Sequence, residues 1–158
     1  MEDKIIIHKN PNGDTRTAQG NVDFETFQKS NDMHIADVSN IMNLFANMCE
    51  YSGESHDFTK KKYEQQFYDE FTYARKNNTD FRESEWYKMH IKTEHHHIND
   101  YTHDDVDLID VLEMIADCTS AGLARSGSVR EITIDKDVLY KAFQNTCELV
   151  KEMCELKD

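Results

Sequence analysis

Apolar residues recur at spacings of three and four along most of this chain, and the places where that period breaks divide it into helices. From about residue 21 to residue 51, Phe24 and Phe27 open an apolar face that Ile35, Val38, Ile41, Met42, Phe45 and Met48 continue. Such spacing keeps side chains on one side of a helix of 3.6 residues per turn. Ser30, Asn31 or Asp32 can cap its main part. Tyr51-Ser52-Gly53-Glu54-Ser55 then breaks the period. A second helix is expected over about 59–76, with Tyr63, Phe67, Phe71 and Tyr73 inward, followed by a loop at Asn77-Asn78-Thr79-Asp80. A third begins near Ser84 and carries Trp86, Met89 and His90.

The stretch 94–105 is polar and rich in histidine, and reads as a loop with partial helical turns. Residues 106–124 form the most apolar helix, with Leu108, Ile109, Leu112, Ile115 and Ala116 as its core face and Gly122 and Gly127 near its end. Glu131-Ile132-Thr133-Ile134 is a short extended link. Asp135 or Asp137 caps a last helix reaching about residue 156, built on Leu139, Phe143, Leu149, Val150 and Met153. Residues 4–18 differ from the rest. Ile5, Ile6 and Ile7 are β-prone, Asn10-Pro11-Asn12-Gly13-Asp14 is a turn signal, and Thr15-Arg16-Thr17 can return as a second strand. The expectation is an all-α helical bundle: an N-terminal β-hairpin extension over 1–20 and a single helical domain over 21–158.

Composition narrows this picture. One Pro and five Gly in 158 residues are too few for a turn-rich β-sandwich. Asp plus Glu total 31 against 18 Lys plus Arg, a formal charge of −13. That excludes a nucleic-acid polymer as the partner, because phosphate backbones need a basic surface. A small phosphorylated substrate stays open, since bound divalent cations reverse the local potential. Cys49, Cys118, Cys147 and Cys154 form no CxxC pair and read as reduced, mostly buried thiols. No run approaches the roughly 18 apolar residues of a membrane span, and no signal peptide is evident. The expected setting is the cytoplasm. Patterning does not fix the oligomeric state, and a dimer is compatible with it.

The candidate chemistry lies in histidines and carboxylates spread over successive helices. His56 and Asp57 are adjacent, about 100° apart on a helix, and can converge on one cation. Lys60 follows on the same face and suits a phosphate contact. Alone, the pair also reads as a surface His-Asp with Asp57 serving a helix N-terminus. His34 borders the core of the first long helix, where a lone His is more often a hydrogen-bonded core residue. Asp117 sits in the most apolar helix, one turn after Glu113. Two close carboxylates repel unless a cation joins them, or else both face solvent. His95, His96 and His97 cannot all face one point. His90, His95 and His96 are the preferred inward set and His97 the alternate, while His8 and His103 read as surface residues.

The order His34, His56-Asp57, His90, His95-His96, Asp117 resembles the HD-domain superfamily of metal-dependent phosphohydrolases. His56-Asp57-Phe58-Thr59-Lys60 looks like its HDxxK element, and the whole looks like the extended pattern H…HDxxK…H…HH…D of dinuclear members. Two segments, Trp86 through His96 and Glu113 through Gly122, are similar to uncharacterised phage and bacterial HD-like proteins. The resemblance spans about residues 30–125 and lacks a Gly-Tyr-Pro after the paired histidines. It implies that His34, His56, Asp57 and Asp117 hold one metal. It extends the site through His90 and His95 or His96 to a second metal, with Asp57 bridging. Asp57 and Lys60 would be the catalytic pair, with Lys92, Arg125 and Arg130 as weaker phosphate contacts. The implied cofactor is one or two divalent transition metals (Mn, Fe, Co, Ni or Zn), a choice the donor set leaves open. The implied activity is hydrolysis of a nucleotide or other small phosphorylated metabolite. A diiron oxygenase and a non-catalytic, metal-containing nucleotide-binding protein are the alternatives.

Overall fold

A computed structural model describes residues 4–157 of the chain, and it is mostly helical. In order the elements are strand β1 (Ile5–His8), helices α1 (Phe24–Ser55), α2 (Phe58–Lys62), α3 (Glu64–Asn77), α4 (Glu85–Thr93), α5 (Leu108–Ser126) and α6 (Lys136–Met153), and strand β2 (Cys154–Lys157). Short 3-10 turns cover Pro11–Gly13 and Phe81–Glu83. The chain divides into two compact units, residues up to 48 together with 147 onward, and residues 49–146. Among the described residues no helix is long and apolar enough to cross a membrane. The four cysteines are free; Cys49 and Cys118 are exposed and the other two partly buried, not mostly buried as expected.

In the first unit the expected N-terminal hairpin does not form. β1 pairs in parallel with β2, Ile5 opposite Cys154 and His8 opposite Lys157. The supposed return strand curls up because Asp14 captures its donors. The Asp14 carboxylate accepts from Arg16 N at 2.8 Å, and the Asp14 carbonyl accepts from Thr17 N and Ala18 N at 3.1 and 2.9 Å. Those N–H groups are therefore unavailable to β1. β1 is tied instead to the buried Asp37 of α1, whose carboxylate accepts from His8 N and pairs with His8 Nδ1, both at 2.8 Å. Asp23 caps α1, accepting from Thr26 N at 2.8 Å, so the helix starts well before Ser30. It also continues through the expected break at 51–55, where a single Gly costs about 1 kcal/mol and there is no proline to stop it. On its first half, Ile35, Val38 and Met42 are exposed, while Ser30 and Asp37 are buried.

The second unit is built on two clusters. In one, Phe67 of α3 stacks on Trp86 of α4 at 4.1 Å, and Trp86 stacks on His90 one turn later at 4.6 Å. Trp86 is fully buried. The other joins Ile98, Val106, Val111, Met114 and Ala142, with Leu108, Ile132, Ile134 and Val138 packed against them. The helix expected over 59–76 is in fact two. The chain breaks at Tyr63 (φ −120°, ψ 37°), where α2 closes on itself through Tyr63 N and Thr59 O. α4 begins at Ser84, which caps it, Asp107 and Asp110 form a capping box at the start of α5, and Asp135, one of the two expected candidates, caps α6. Gly127, at φ 72°, ends α5 in the left-handed conformation. The buried face of α5 carries Ile109, Val111 and Met114, while Leu112 and Ile115 are exposed.

Candidate metal centre

Asp57 is the hub of the site, and its position is a consequence of where α1 ends. Asp57 adopts the left-handed conformation (φ 56°, ψ 31°) between α1 and α2, which Asp tolerates better than most residues. The reversal places its carboxylate among side chains from α4, α5 and the loop after α4. Each oxygen faces a different set. Oδ2 lies 3.2 Å from His56 Nε2, which is itself 3.7 Å from Asp117 Oδ1. Oδ1 lies 3.4 Å from His90 Nε2 and 3.7 Å from His96 Nε2. The donor atoms of His56, Asp57 and Asp117 lie within 4.8 Å of one another, as do those of Asp57, His96 and His97, and those of Asp57, His90 and Glu94. Neighbouring donors at about 2.1 Å from one ion sit roughly 3.0–3.4 Å apart, depending on geometry. The His56–Asp57 and His90–Asp57 gaps (3.2 and 3.4 Å) already lie in that range, and the His56–Asp117 and His96–Asp57 gaps (both 3.7 Å) exceed it by a few tenths of an ångström.

Glu113 sets which nitrogens face Asp57. Its Oε1 lies 2.8 Å from His56 Nδ1 and 2.8 Å from His96 Nδ1, and Ser52 Oγ donates to Oε2. An ionised carboxylate only accepts, so both Nδ1 atoms carry protons, and in the neutral rings both Nε2 atoms present lone pairs to Asp57. A parallel device orients His90. Thr59 donates its backbone N–H (2.8 Å) and its hydroxyl to Glu94, so Thr59 Oγ1 accepts from His90 Nδ1 at 2.7 Å, again leaving Nε2 inward. His97 Nε2 is 2.8 Å from His90 Nε2. Carboxylate- or hydroxyl-backed imidazoles of this kind are how proteins aim metal ligands.

Electrostatics agree with this assignment at His90. Burial and neighbouring His97 push His90 down to about 4, so it is neutral at pH 7 with its lone pair available. Burial also lowers His97. Burial opposes ionisation of Glu113, yet hydrogen bonds from His96, Ser52 and His56 outweigh it and hold the carboxyl at about 2. His96 is raised although it is buried, because Glu113, Asp57 and Asp117 surround it with negative charge. Burial likewise opposes the lowering of Asp57, which Lys60, His56 and His90 bring about. Asp57 Oδ1 and His96 Nε2 are both buried and have no hydrogen-bond partner among the described residues. Buried polar atoms left unpaired cost roughly 1–3 kcal/mol each, and a cation beside them removes that cost. The donor set fits a divalent cation.

Of the residues singled out in the sequence, His56, Asp57, Lys60, His90, His96 and Asp117 come together. Lys60 contacts Asp57 Oδ2, and its backbone N donates to Asp57 O at 2.9 Å. His95 does not join them. It turns outward, stacks on His103 at 3.8 Å, and faces Asp110 at 3.6 Å. His97, the alternate, takes the inward place beside His96, in a tight turn closed by His97 N donating to Glu94 O at 3.3 Å. His103 is half-buried in that stack, not a free surface residue. His34 is exposed on α1 in the first unit, and none of the closely spaced donor groups among the described residues includes it. Its neighbourhood is electrostatic, helping to lower buried Asp37. Lys92 is exposed on α4. Sequence reasoning missed the orienting roles of Glu113, Thr59 and Glu94. The available signal was spacing: Glu94 follows His90 by four, and Glu113 precedes Asp117 by four.

Two cavities meet at Asp117. One, of about 400 Å³, is lined mainly by apolar surface from Cys49, Gly53, Ile109, Leu112 and Ala116, with His56 and Glu113 in its wall. The other, of about 450 Å³, is bounded by Asn99, Asp117, Gly122, Arg125, Arg130 and Thr133.

Residues 24–156 match DUF5662, a family of unknown function, and the chain belongs to that family. No curated protein and no solved structure matches it.

Proposed function

We propose that the protein is a divalent-metal-dependent phosphohydrolase with an HD-domain-like site, acting on a nucleotide or other small phosphorylated metabolite. The observation that carries this reading is the division of labour at Asp57. Its Oδ2 faces His56 Nε2, and its Oδ1 faces His90 and His96 Nε2. A carboxylate so placed is suited to bridge two cations, with His56 and Asp117 holding one and His90, His96 and His97 the other. Bound there, divalent cations supply Lewis acidity toward phosphoryl oxygens and make water a competent nucleophile near neutral pH.

The chain's own residues supply the rest. Glu113 fixes the tautomers of His56 and His96, so no reorientation is needed when a cation arrives. Lys60 beside Asp57 brings a cationic ammonium to the edge of the site, where it neutralises phosphoryl oxygen charge. The mostly apolar cavity beside His56 and Asp117 suits a flat organic group such as a nucleobase. The test is metal analysis of untagged protein, followed by a phosphate-release screen over nucleotides and cyclic nucleotides. Bound Mn, Co, Ni, Zn or Fe with phosphate release supports the proposal. Two irons with dioxygen consumption and no phosphate release overturn it in favour of an oxygenase. A protein that takes up no divalent cation overturns both.

A further inference from the structure

Resting on the phosphohydrolase reading, we infer that the cavity between α5 and the 128–133 segment is a second anion subsite, in which Arg125 and Arg130 hold a phosphate group other than the one processed beside Asp117. The substrate class is then bisphosphorylated: a nucleoside bisphosphate or a compound with two phosphates similarly spaced.

Charge is the first argument. The chain carries 31 acidic and 18 basic side chains, so acidic partners are plentiful. Arg16 and Arg82 follow the expected pattern, forking onto Asp14 and Asp80. Arg75, Arg125 and Arg130 make no ion pair among the described residues, and of these three Arg125 and Arg130 line one cavity of about 450 Å³ together. Glu131 is the one further carboxylate on that wall besides Asp117. With Asp117 facing His56, two guanidiniums face one free carboxylate. Guanidinium forks are the side chains best matched to phosphate oxygens.

Geometry is the second. Arg125 lies eight residues after Asp117 on α5, about 12 Å along the axis, and long helical side chains lean back toward the N-terminus. A phosphate at Arg125 therefore sits on the order of 10 Å or less from one beside Asp117, within the span of one nucleoside.

The third is that Arg130 comes from a held backbone. A Cβ on Gly122 would lie 2.9 Å from Ser128 O and 3.1 Å from Val129 Cα, so glycine is what lets this segment seat against α5. Ser128 and Gly122 carbonyls share the Ser126 hydroxyl at 3.0 and 2.9 Å, and Asn99 Nδ2 donates to Thr133 O at 3.0 Å. A segment pinned at both ends presents Arg130 with little ordering left to do on binding.

The experiment is calorimetric titration of the full chain with adenosine 3′,5′-bisphosphate and with adenosine 5′-monophosphate, with and without added Mn²⁺. The bisphosphate is expected to bind at least about tenfold more tightly, the value of one or two charge-assisted hydrogen bonds. The Arg125→Gln/Arg130→Gln variant is expected to lose that preference while its metal content stays unchanged. Equal affinities in the wild type, no binding of the bisphosphate, or a preference that survives in the variant overturns the inference. Failure of the phosphohydrolase reading looks different: the preference persists, but no phosphate is released.

Discussion

His96 Nδ1 lies 2.8 Å from Glu113 Oε1, and this contact decides which face of a buried imidazole looks at Asp57. The same oxygen is 2.8 Å from His56 Nδ1, so one carboxylate orients a ligand for each side of the site. Glu113→Gln keeps the shape but removes the charge and offers an N–H₂ that clashes with a protonated Nδ1. Metal affinity is expected to fall about 10- to 100-fold, the range for lost ligand-orienting contacts. Competition with a fluorescent chelator measures this, and circular dichroism is expected to show unchanged helix content. Undiminished affinity would remove Glu113 from the site.

Asp57 has two jobs that substitution can separate. Its φ of 56° favours Asp or Asn, and its carboxylate serves the cluster. Asp57→Asn keeps the turn and is expected to abolish metal binding and activity with little loss of stability. Asp57→Ala is expected to abolish both and also to lose about 1–2 kcal/mol from forcing Ala into the left-handed region. Thermal melts beside metal analysis distinguish the two. An Asp57→Asn protein with full metal content is incompatible with a bridging Asp57.

The histidines sort by direction, and an alanine scan reads that sorting. His96→Ala and His97→Ala are expected to lower metal content. His95→Ala, His103→Ala and His34→Ala are expected to leave it alone, because His95 and His103 stack on each other and His34 is exposed on α1 in the other unit. Loss of metal in His95→Ala with retention in His97→Ala would reverse the assignment of the loop.

What the sequence disclosed follows from how local each feature is. The helices, the Asp135 cap and the shared face of His56, Asp57 and Lys60 rest on spacing within one or two turns, and spacing is legible; the addition of His90 and Asp117 comes from the order of residues along the chain and its resemblance to the HD pattern. Which two of three consecutive histidines turn inward depends on the tight turn after Glu94, a tertiary choice no period encodes. The α5 face departs from the expectation for a related reason: Leu112 and Ile115 are apolar yet exposed, because which apolar residues of a helix meet a neighbour is settled by packing and not by period. The hairpin was misread because Asn-Pro-Asn-Gly marks a turn without naming the strand's partner. That partner, Cys154–Lys157, is nearly the whole chain away. The extension of α1 through Gly53 shows a weak breaker overruled by the helix around it.

The β1 anchor gives a pH-dependent prediction. Burial alone would raise Asp37, but the backbone N–H and ring of His8 outweigh it and hold the carboxyl below its ordinary 3.8. A carboxyl lowered in the folded state binds protons more readily when unfolded. Its contribution is therefore complete above about pH 4 and fades as pH falls through the lowered folded value. Asp37→Asn is expected to cost about 1–3 kcal/mol at pH 7, the range for hydrogen bonds to a charged group. As pH falls below 3.8 the wild type progressively loses that advantage and the gap between the two proteins narrows. Denaturant melts of both at pH 7 and pH 3 measure the gap, and amide exchange at Ile5–His8 reports whether the strand loosens first. A gap of the same size at both pH values would show that Asp37 holds β1 by shape and not by charge.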